Sequence, residues 1–241
     1  MLRTRLPERL QDLLLDNDAL EDFLRQLSAL AAEFAAAETG LPVVCSVRLA
    51  RHRQPTVLAG SSPEALALDS VQDSMAEGPG LEAMQTGLAV LVPDTTMDPR
   101  WRRYQRASAQ RGNRSILAVT LLADRDATAI LTFSSASPEA FDDGVVAACA
   151  ALAVRAASVM RLAVRLDCAK GLNRDLQQAM RSRTVINLAT GILMAQSRCS
   201  QSEAFELLAK VSNTRNVKLR VIAEEILRRF DEGPAETAFS A

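Results

Sequence analysis

The sequence predicts an α+β protein: an N-terminal, mostly antiparallel sheet with flanking helices, a long helical linker, and a C-terminal module of three helices. Three observations lead there. Short β-branched runs, punctuated by Gly, Pro and Asp, recur between Val43 and Ser134. No strand pattern remains from Phe141 onward. In that remainder, apolar residues step by three and four positions, the period of a helix face.

The elements follow in order. Leu20, Phe23, Leu24, Leu27, Ala31 and Phe34 recur at helical spacing, so a first helix is expected over Glu8 to Glu38, stopped by Thr39-Gly40 and Pro42. Val43 to Leu49 and Pro55 to Leu58 read as strands, with Gly60-Ser61-Ser62-Pro63 as the turn after them. Ser62 to Ser74 reads as a helix, Gly78-Pro79-Gly80 breaks the chain, and Leu81 to Thr86 adds a helical turn or two. Leu88 to Val92 is a strand. Asp98 is expected to cap a helix with Pro99 in its first turn, running to about Gln110. Ser115 to Leu122 and Ala127 to Ser134 form a hairpin across residues 123–126.

Asp142 or Asp143 can cap a long helix. Its apolar positions Val145, Cys149, Leu152, Ala156, Val159, Ala163 and Leu166 alternate steps of four and three, a heptad seam. The step changes at Ala169, Leu172, Leu176 and Met180, so the seam rotates near Lys170-Gly171. Two readings stay open: an amphipathic helix packed on its own domain and followed by a second helix, or a parallel coiled-coil dimer linking two domains. Further on, Ile186, Ala189, Leu193 and Met194 mark a helix that frays near Ser197-Arg198-Cys199. Ser200 and Glu203 form a capping box for a second helix, Gln201 to about Val211, with Ala204, Phe205, Leu208 and Val211 inward. Ser212 to Arg215 is the expected loop, and Asn216 the expected N-cap of a third helix buried through Leu219, Ile222, Ala223, Ile226 and Phe230. Gly233-Pro234 ends the pattern, and 231–241 is expected to be a disordered tail.

Net charge is −1, which hides an asymmetry. Residues 1–164 carry 16 Arg against 20 acids, whereas residues 165–230 carry 12 Lys and Arg against 6 acids. A basic end on a mildly acidic body is the footprint of nucleic-acid binding. Four cysteines, Cys45, Cys149, Cys168 and Cys199, are far apart and form no C-x-x-C pair, so no zinc or redox motif is supported. The single histidine, His52, excludes a His-rich metal site and reads as a surface residue near a strand end. No Gly-rich phosphate loop or catalytic cluster is present, so the chain is read as a non-enzyme. The nearest approach to a membrane span, Gly144 to Val159, is interrupted by Arg155. The basic start, Arg3, Arg5 and Arg9, has no apolar core after it, so a cytoplasmic protein with no membrane partner is expected.

Ser182, Arg183, Ile186, Ala189, Gly191, Ile192, Leu193 and Met194, then Ala204, Phe205 and Leu208, then Ser212, Asn216, Lys218, Leu219 and Arg220 together resemble an ANTAR domain. The resemblance implies a three-helix module that binds hairpins in nascent RNA as a dimer and so prevents a terminator from forming. It points to Arg181, Arg183, Ala189, Thr190, Gly191, Lys218 and Arg220 as RNA-binding residues. Thr190 stands where the family usually has Lys, which removes one cation. The small residues Ala189 and Gly191 would allow close approach of a nucleotide. Arg228 and Arg229 are read instead as a solvated face, or as partners of Glu224 and Glu225.

Upstream, Glu77-Gly78-Pro79, Leu81-Glu82-Ala83, Thr86-Gly87, Val92-Pro93-Asp94, Asp98-Pro99-Arg100-Trp101 and Phe141 follow an order similar to a GAF domain. Such domains enclose a small ligand or serve as dimerising scaffolds. No residue set identifies a cofactor or ligand. Relatives often carry Cys where Gly80 stands, so thiol sensing there is not implied, and Trp101 is assigned to core packing. The expected organisation is a GAF-like sensor over 19–165, a helical coiled-coil linker over 166–181, and an ANTAR-like module over 182–230. A signal in the sensor would change the pairing of the linker near Lys170-Gly171 and align two basic modules of a homodimer. The alternatives are a sensor whose C-terminal helices bind DNA, as three short helices also suit a helix-turn-helix, or bind a partner protein.

Overall fold

A computed structural model describes residues 2–124 and 126–231. The expected tail beyond Asp231 lies outside the described residues. The chain divides into two compact units, residues 1–167 and 168–241.

The first unit opens with α1 (Leu2–Leu15) and α2 (Leu20–Thr39), where the sequence read one helix from Glu8 to Glu38. The break falls at Asp16-Asn17-Asp18, short polar side chains that compete for backbone groups. Asn17 Nδ2 donates to the Leu13 carbonyl at 2.8 Å, and Gln26 Nε2 donates to Asn17 Oδ1 at 2.8 Å. Gly40, at φ 69°, takes the left-handed turn that ends α2, and its N–H donates to Ala36 O.

Five strands follow: β1 (Val44–Arg51), β2 (Val57–Gly60), β3 (Val90–Val92), β4 (Ser115–Ala123) and β5 (Ala127–Ser135). They pair in the order β2-β1-β5-β4-β3, every neighbour antiparallel. Strand alternation divides the side chains between two layers. Cys45, Val47 and Leu49 of β1 and Leu131 and Phe133 of β5 pack with Phe23, Leu24 and Leu27 of α2 and with Leu6 and Leu10 of α1. A register shift between Thr120 and Leu122 lets consecutive Leu121 and Leu122 both join that cluster.

The other face is covered by α3 (Pro63–Met75), α4 (Pro79–Thr86) and α5 (Arg102–Ala109). Two smaller clusters, Val71-Val92-Tyr104-Ile116 and Ala83-Val90-Ala118-Ile130, fill it, and Trp101 packs against both, in keeping with its expected role. Ser62 caps α3 by accepting from Ala65 N. The buried Arg48 reaches across this layer to Asp69 (Nη2 to Oδ2, 2.9 Å) and Asp73 (Nη1 to Oδ1, 2.6 Å). Gln72 donates to Asp69, and its Oε1 accepts from Gly80 N at 2.7 Å. A Cβ on Gly80 would stand 3.0 Å from the Gln72 amide and 3.1 Å from Thr132 Oγ1, so close packing accounts for glycine at this position.

Asp98 does not cap α5. Its Oδ1 accepts from Arg100 N at 2.8 Å, its carboxylate also holds the Arg100 guanidinium, and helix begins only after Trp101 at φ 47°. A tight Asx turn thus wins over the helix start that Asp-Pro suggested. His52 is exposed just past β1, as expected.

Asp142 does cap the long helix α6 (Asp143–Ser197), accepting from Val145 N at 2.8 Å. The helix runs 55 residues without a break at Gly171, where an added Cβ would meet nothing within 4 Å. By length and composition α6 could cross a membrane. In this fold its first part buries Val145, Cys149, Leu152, Ala156, Met160 and Ala163 against the sheet layer. The early seam positions Val145, Cys149, Leu152, Ala156 and Ala163 thus pack within the first unit, whereas Leu166 is 43% exposed. The later positions differ: Leu172, Leu176 and Met180 are 62%, 57% and 71% exposed. Two further helices, α7 (Gln201–Arg215) and α8 (Leu219–Asp231), complete the chain.

Candidate nucleic-acid interface

In the second unit the chain reverses after α6 at Arg198, which adopts φ 51°. Ser200 then starts α7 with the capping box read from the sequence. Glu203 N donates to Ser200 Oγ at 3.3 Å, and Ser200 N donates to Glu203 Oε2 at 2.8 Å. The Ser200 backbone N–H, and after it the Ser200 hydroxyl, donate to the Glu203 carboxylate and hold it below its usual range.

The expected loop over Ser212–Arg215 is helical, and Asn216 is a C-cap, not an N-cap. At φ 50° Asn216 takes the left-handed conformation that asparagine tolerates, and its N–H donates to Asn213 O and Ser212 O. Ser212 Oγ donates to Val217 O at 2.6 Å, and Val217 N returns a bond to Ser212 O at 3.0 Å. Lys218 O accepts from Val221 N at 2.8 Å, so Lys218 sits at the threshold of α8.

A small core joins the three helices. Ala189, Leu208, Ile222 and Ala223 are buried, with Val185, Ile186, Leu193, Val217, Leu219 and Ile226 packed around them. Ala204 is buried as well, but Phe205, Val211 and Phe230, all expected inside, are exposed. The bundle is too thin to cover large side chains on its outer turns.

That core takes two of the residues assigned to RNA. Ala189 and Thr190 are 0% and 4% exposed, so neither offers a surface to a ligand. Thr190 Oγ1 donates to the Ile186 carbonyl at 2.7 Å, which satisfies a hydroxyl that packing has withdrawn from water. Gly191, the next residue, faces outward, and a Cβ there would meet nothing within 4 Å. Packing among the described residues therefore does not require glycine at this position.

Arg181 and Arg220, two of the expected residues, line one groove of about 800 Å³ together with Arg174, Gln177, Gln178, Met180, Ser182, Thr184, Val185 and Glu224. Helical spacing explains the cluster: Arg174, Gln177, Gln178, Arg181 and Val185 rise on one face of α6. The rim is cationic and amide-bearing, and Met180 and Val185 supply apolar surface. Arg183 and Lys218 are exposed but do not line the groove. Arg174, Gln177 and Gln178 were missed by the sequence reading, which assigned 166–181 to a linker; their three- and four-residue spacing was the available signal.

Two ion pairs order the arginines of α7 and α8. Arg215 Nη1 lies 2.6 Å from Glu225 Oε2, and this hydrogen bond holds the Glu225 carboxyl below its usual range. Arg220 Nε lies 3.4 Å from Glu224 Oε1. Glu224 and Glu225 are thus engaged by Arg220 and Arg215, while Arg228 and Arg229 act on Glu225 only through their charge. Among the described residues no cluster of His, Cys, Asp and Glu is placed to hold a metal ion. In the first unit, burial pushes the Cys149 thiol up to about 12, which fits a packed, unreactive cysteine.

Comparison with known proteins matches residues 18–161 to the GAF domain and residues 174–227 to the ANTAR domain. No curated protein matches the chain. Among solved structures, the chain is similar to an N-acylhomoserine-lactone-dependent LuxR-family transcription factor from Burkholderia cenocepacia, at 13% identity and TM-score 0.50, over 67% of this chain and 95% of that one. It is also similar to the GAF domain of a phosphoenolpyruvate-protein phosphotransferase from Acinetobacter, at 18% identity and TM-score 0.47, over 69% of this chain and 98% of that one. A free methionine-R-sulfoxide reductase from Neisseria meningitidis, solved with its substrate, matches at 18% identity and TM-score 0.49, over 68% of this chain and 90% of that one.

Proposed function

We propose, for a chain that belongs to the GAF domain family and carries an ANTAR domain behind it, a signal-responsive regulator that holds hairpins in nascent RNA and so prevents transcription termination. The observation that carries this reading is the groove that joins Arg174 and Arg181 of α6 to Arg220 of α8. Guanidinium groups neutralise phosphates and stack on unpaired bases. Amide and hydroxyl groups beside them can bond the Watson–Crick edges of bases, which RNA loops expose and a closed duplex does not.

Arg183 and Lys218 are further exposed cations of the module. Gly191 leaves the α6 backbone open to close approach. Ala189 and Thr190 contribute by packing the helices that carry these groups. The protein acts by binding, in the cytoplasm, and catalyses no reaction.

Homodimerisation fits the exposed stripe Leu172, Leu176 and Met180, which recurs every four residues on α6. Pairing two copies along it would bury that surface and present two grooves. The GAF domain would supply the signal, through a small ligand or its own packing, by altering this pairing.

Crosslinking the protein to cellular RNA and sequencing the bound fragments tests the reading. Recovery of stem-loops ahead of terminators supports it. Recovery of DNA alone would reject it in favour of the DNA-binding alternative, and recovery of no nucleic acid beyond background would reject it in favour of the partner-protein alternative.

A further inference from the structure

We infer that Glu224 is a specificity-determining residue of the groove, one that keeps Arg220 from generic polyanions and admits RNA with unpaired bases. This rests on the groove being an RNA site. Among the described residues that line it, Glu224 is the one carboxylate, set among Arg174, Arg181 and Arg220. It sits one helical turn beyond Arg220 on α8, with Nε and Oε1 3.4 Å apart. Their side chains are 37% and 46% exposed, so water screens the pair and a ligand can separate them.

Separation has a consequence for selectivity. A phosphate that takes Arg220 leaves an ionised carboxylate beside new negative charge. A ligand made only of phosphates offers that carboxylate no donor, and like-charge repulsion weakens binding. An unpaired base offers the N–H groups of its Watson–Crick edge, which a paired base has already used. RNA with an open loop can therefore satisfy Arg220 and Glu224 together.

Glu225 supplies the contrast. It carries the same charge one position away, is engaged by Arg215 at 2.6 Å, and does not line the groove. A bulk electrostatic effect would treat Glu224 and Glu225 alike.

The test uses the full chain with Glu224→Gln and Glu225→Gln, each checked for an unchanged melting profile. Binding is measured at one low salt concentration to inorganic polyphosphate, to fully paired RNA duplex, and to a pool of stem-loop RNAs with randomised loops. Glu224→Gln should tighten polyphosphate and duplex binding by roughly fivefold and lower the preference for stem-loops by about threefold or more. Glu225→Gln should leave that preference unchanged. Equal shifts from both variants, or no shift from Glu224→Gln, would overturn the inference. Arg181→Ala separates the two levels. If it weakens stem-loop binding while Glu224→Gln leaves the preference untouched, only the role of Glu224 falls. If Arg181→Ala has no effect, the groove is not the RNA site and both fall.

Discussion

Arg181 and Arg220 lie far apart in the sequence, on α6 and α8, and line the same groove. Arg183, two positions from Arg181, lies outside it. If the groove holds RNA, Arg181→Ala and Arg220→Ala should each weaken hairpin binding by roughly fivefold, about 1 kcal/mol, and reduce the slope of log K against log salt by about 1. Arg183→Ala should cost less. Fluorescence anisotropy across a salt series distinguishes these outcomes, and a loss confined to Arg183→Ala would move the interface elsewhere.

Gly191 permits a test in which stability and binding move in opposite directions. An added Cβ meets no atom within 4 Å, and alanine favours a helix over glycine by roughly 1 kcal/mol. Gly191→Ala should therefore raise the melting temperature of the helical module and lower its affinity for RNA. Unchanged affinity would mean that no ligand approaches the backbone there.

The α7 cap should show a pH dependence with a definite sign. Folding lowers the Glu203 carboxyl below its ordinary value of about 4.3, through donors from Ser200. The contribution of the cap is therefore fully present above that value and fades as pH falls through the lower, folded one. Hydrogen exchange of the first α7 amides should accelerate over that acidic range in the unmodified protein. Glu203→Gln should flatten the dependence, and Ser200→Ala should cost about 1 kcal/mol at neutral pH.

In the first unit, Arg48 is buried with Asp69, whose own carboxyl is raised chiefly by burial. Asp69→Ala removes the buried carboxylate and leaves the guanidinium with the half-exposed Asp73 as its remaining carboxylate among the described residues. A loss of about 3 kcal/mol in urea unfolding is expected, because one partner of a buried pair has been removed. Gly80→Ala, pressed against Gln72 and Thr132, should lose about 1 kcal/mol. A wild-type-like midpoint for both would show that this layer is loosely packed.

Leu176→Glu places a charge in the exposed α6 stripe, away from both cores. Sedimentation should show the unmodified chain as a dimer and the variant as a monomer with unchanged helix content. A dimer in both would assign self-association to another face.

Sheet, helices and module order were legible because strand alternation and helical stripes are local patterns. Leu20–Phe34 and Val145–Ala163 announce buried faces whatever they pack on. The capping box at Ser200 and Glu203 was legible for the same reason. Boundaries set by competing polar groups were not. Asn17 breaks a helix through the Leu13 carbonyl, Asp98 closes a turn on Arg100 N, and Asn216 adopts a left-handed cap. Each residue type suits both a cap and a turn, and only the neighbours decide. The groove was half legible: Arg181 and Arg220 lay in the motif, but Arg174 and Gln177 fell in the expected linker, although their three- and four-residue spacing puts them on the Arg181 face of α6. Burial of Thr190 was invisible because one helix turn decides which side faces the core.

Whether the groove of Arg174, Arg181 and Arg220 selects folded RNA is decided by competition on the purified full chain between a labelled stem-loop RNA and excess unlabelled stem-loop RNA or duplex DNA, repeated with Arg181→Ala. Stem-loop RNA should compete at far lower concentration than duplex DNA, and Arg181→Ala should erase much of this advantage. Equal competition by duplex DNA, or an advantage that survives Arg181→Ala intact, would contradict such selection.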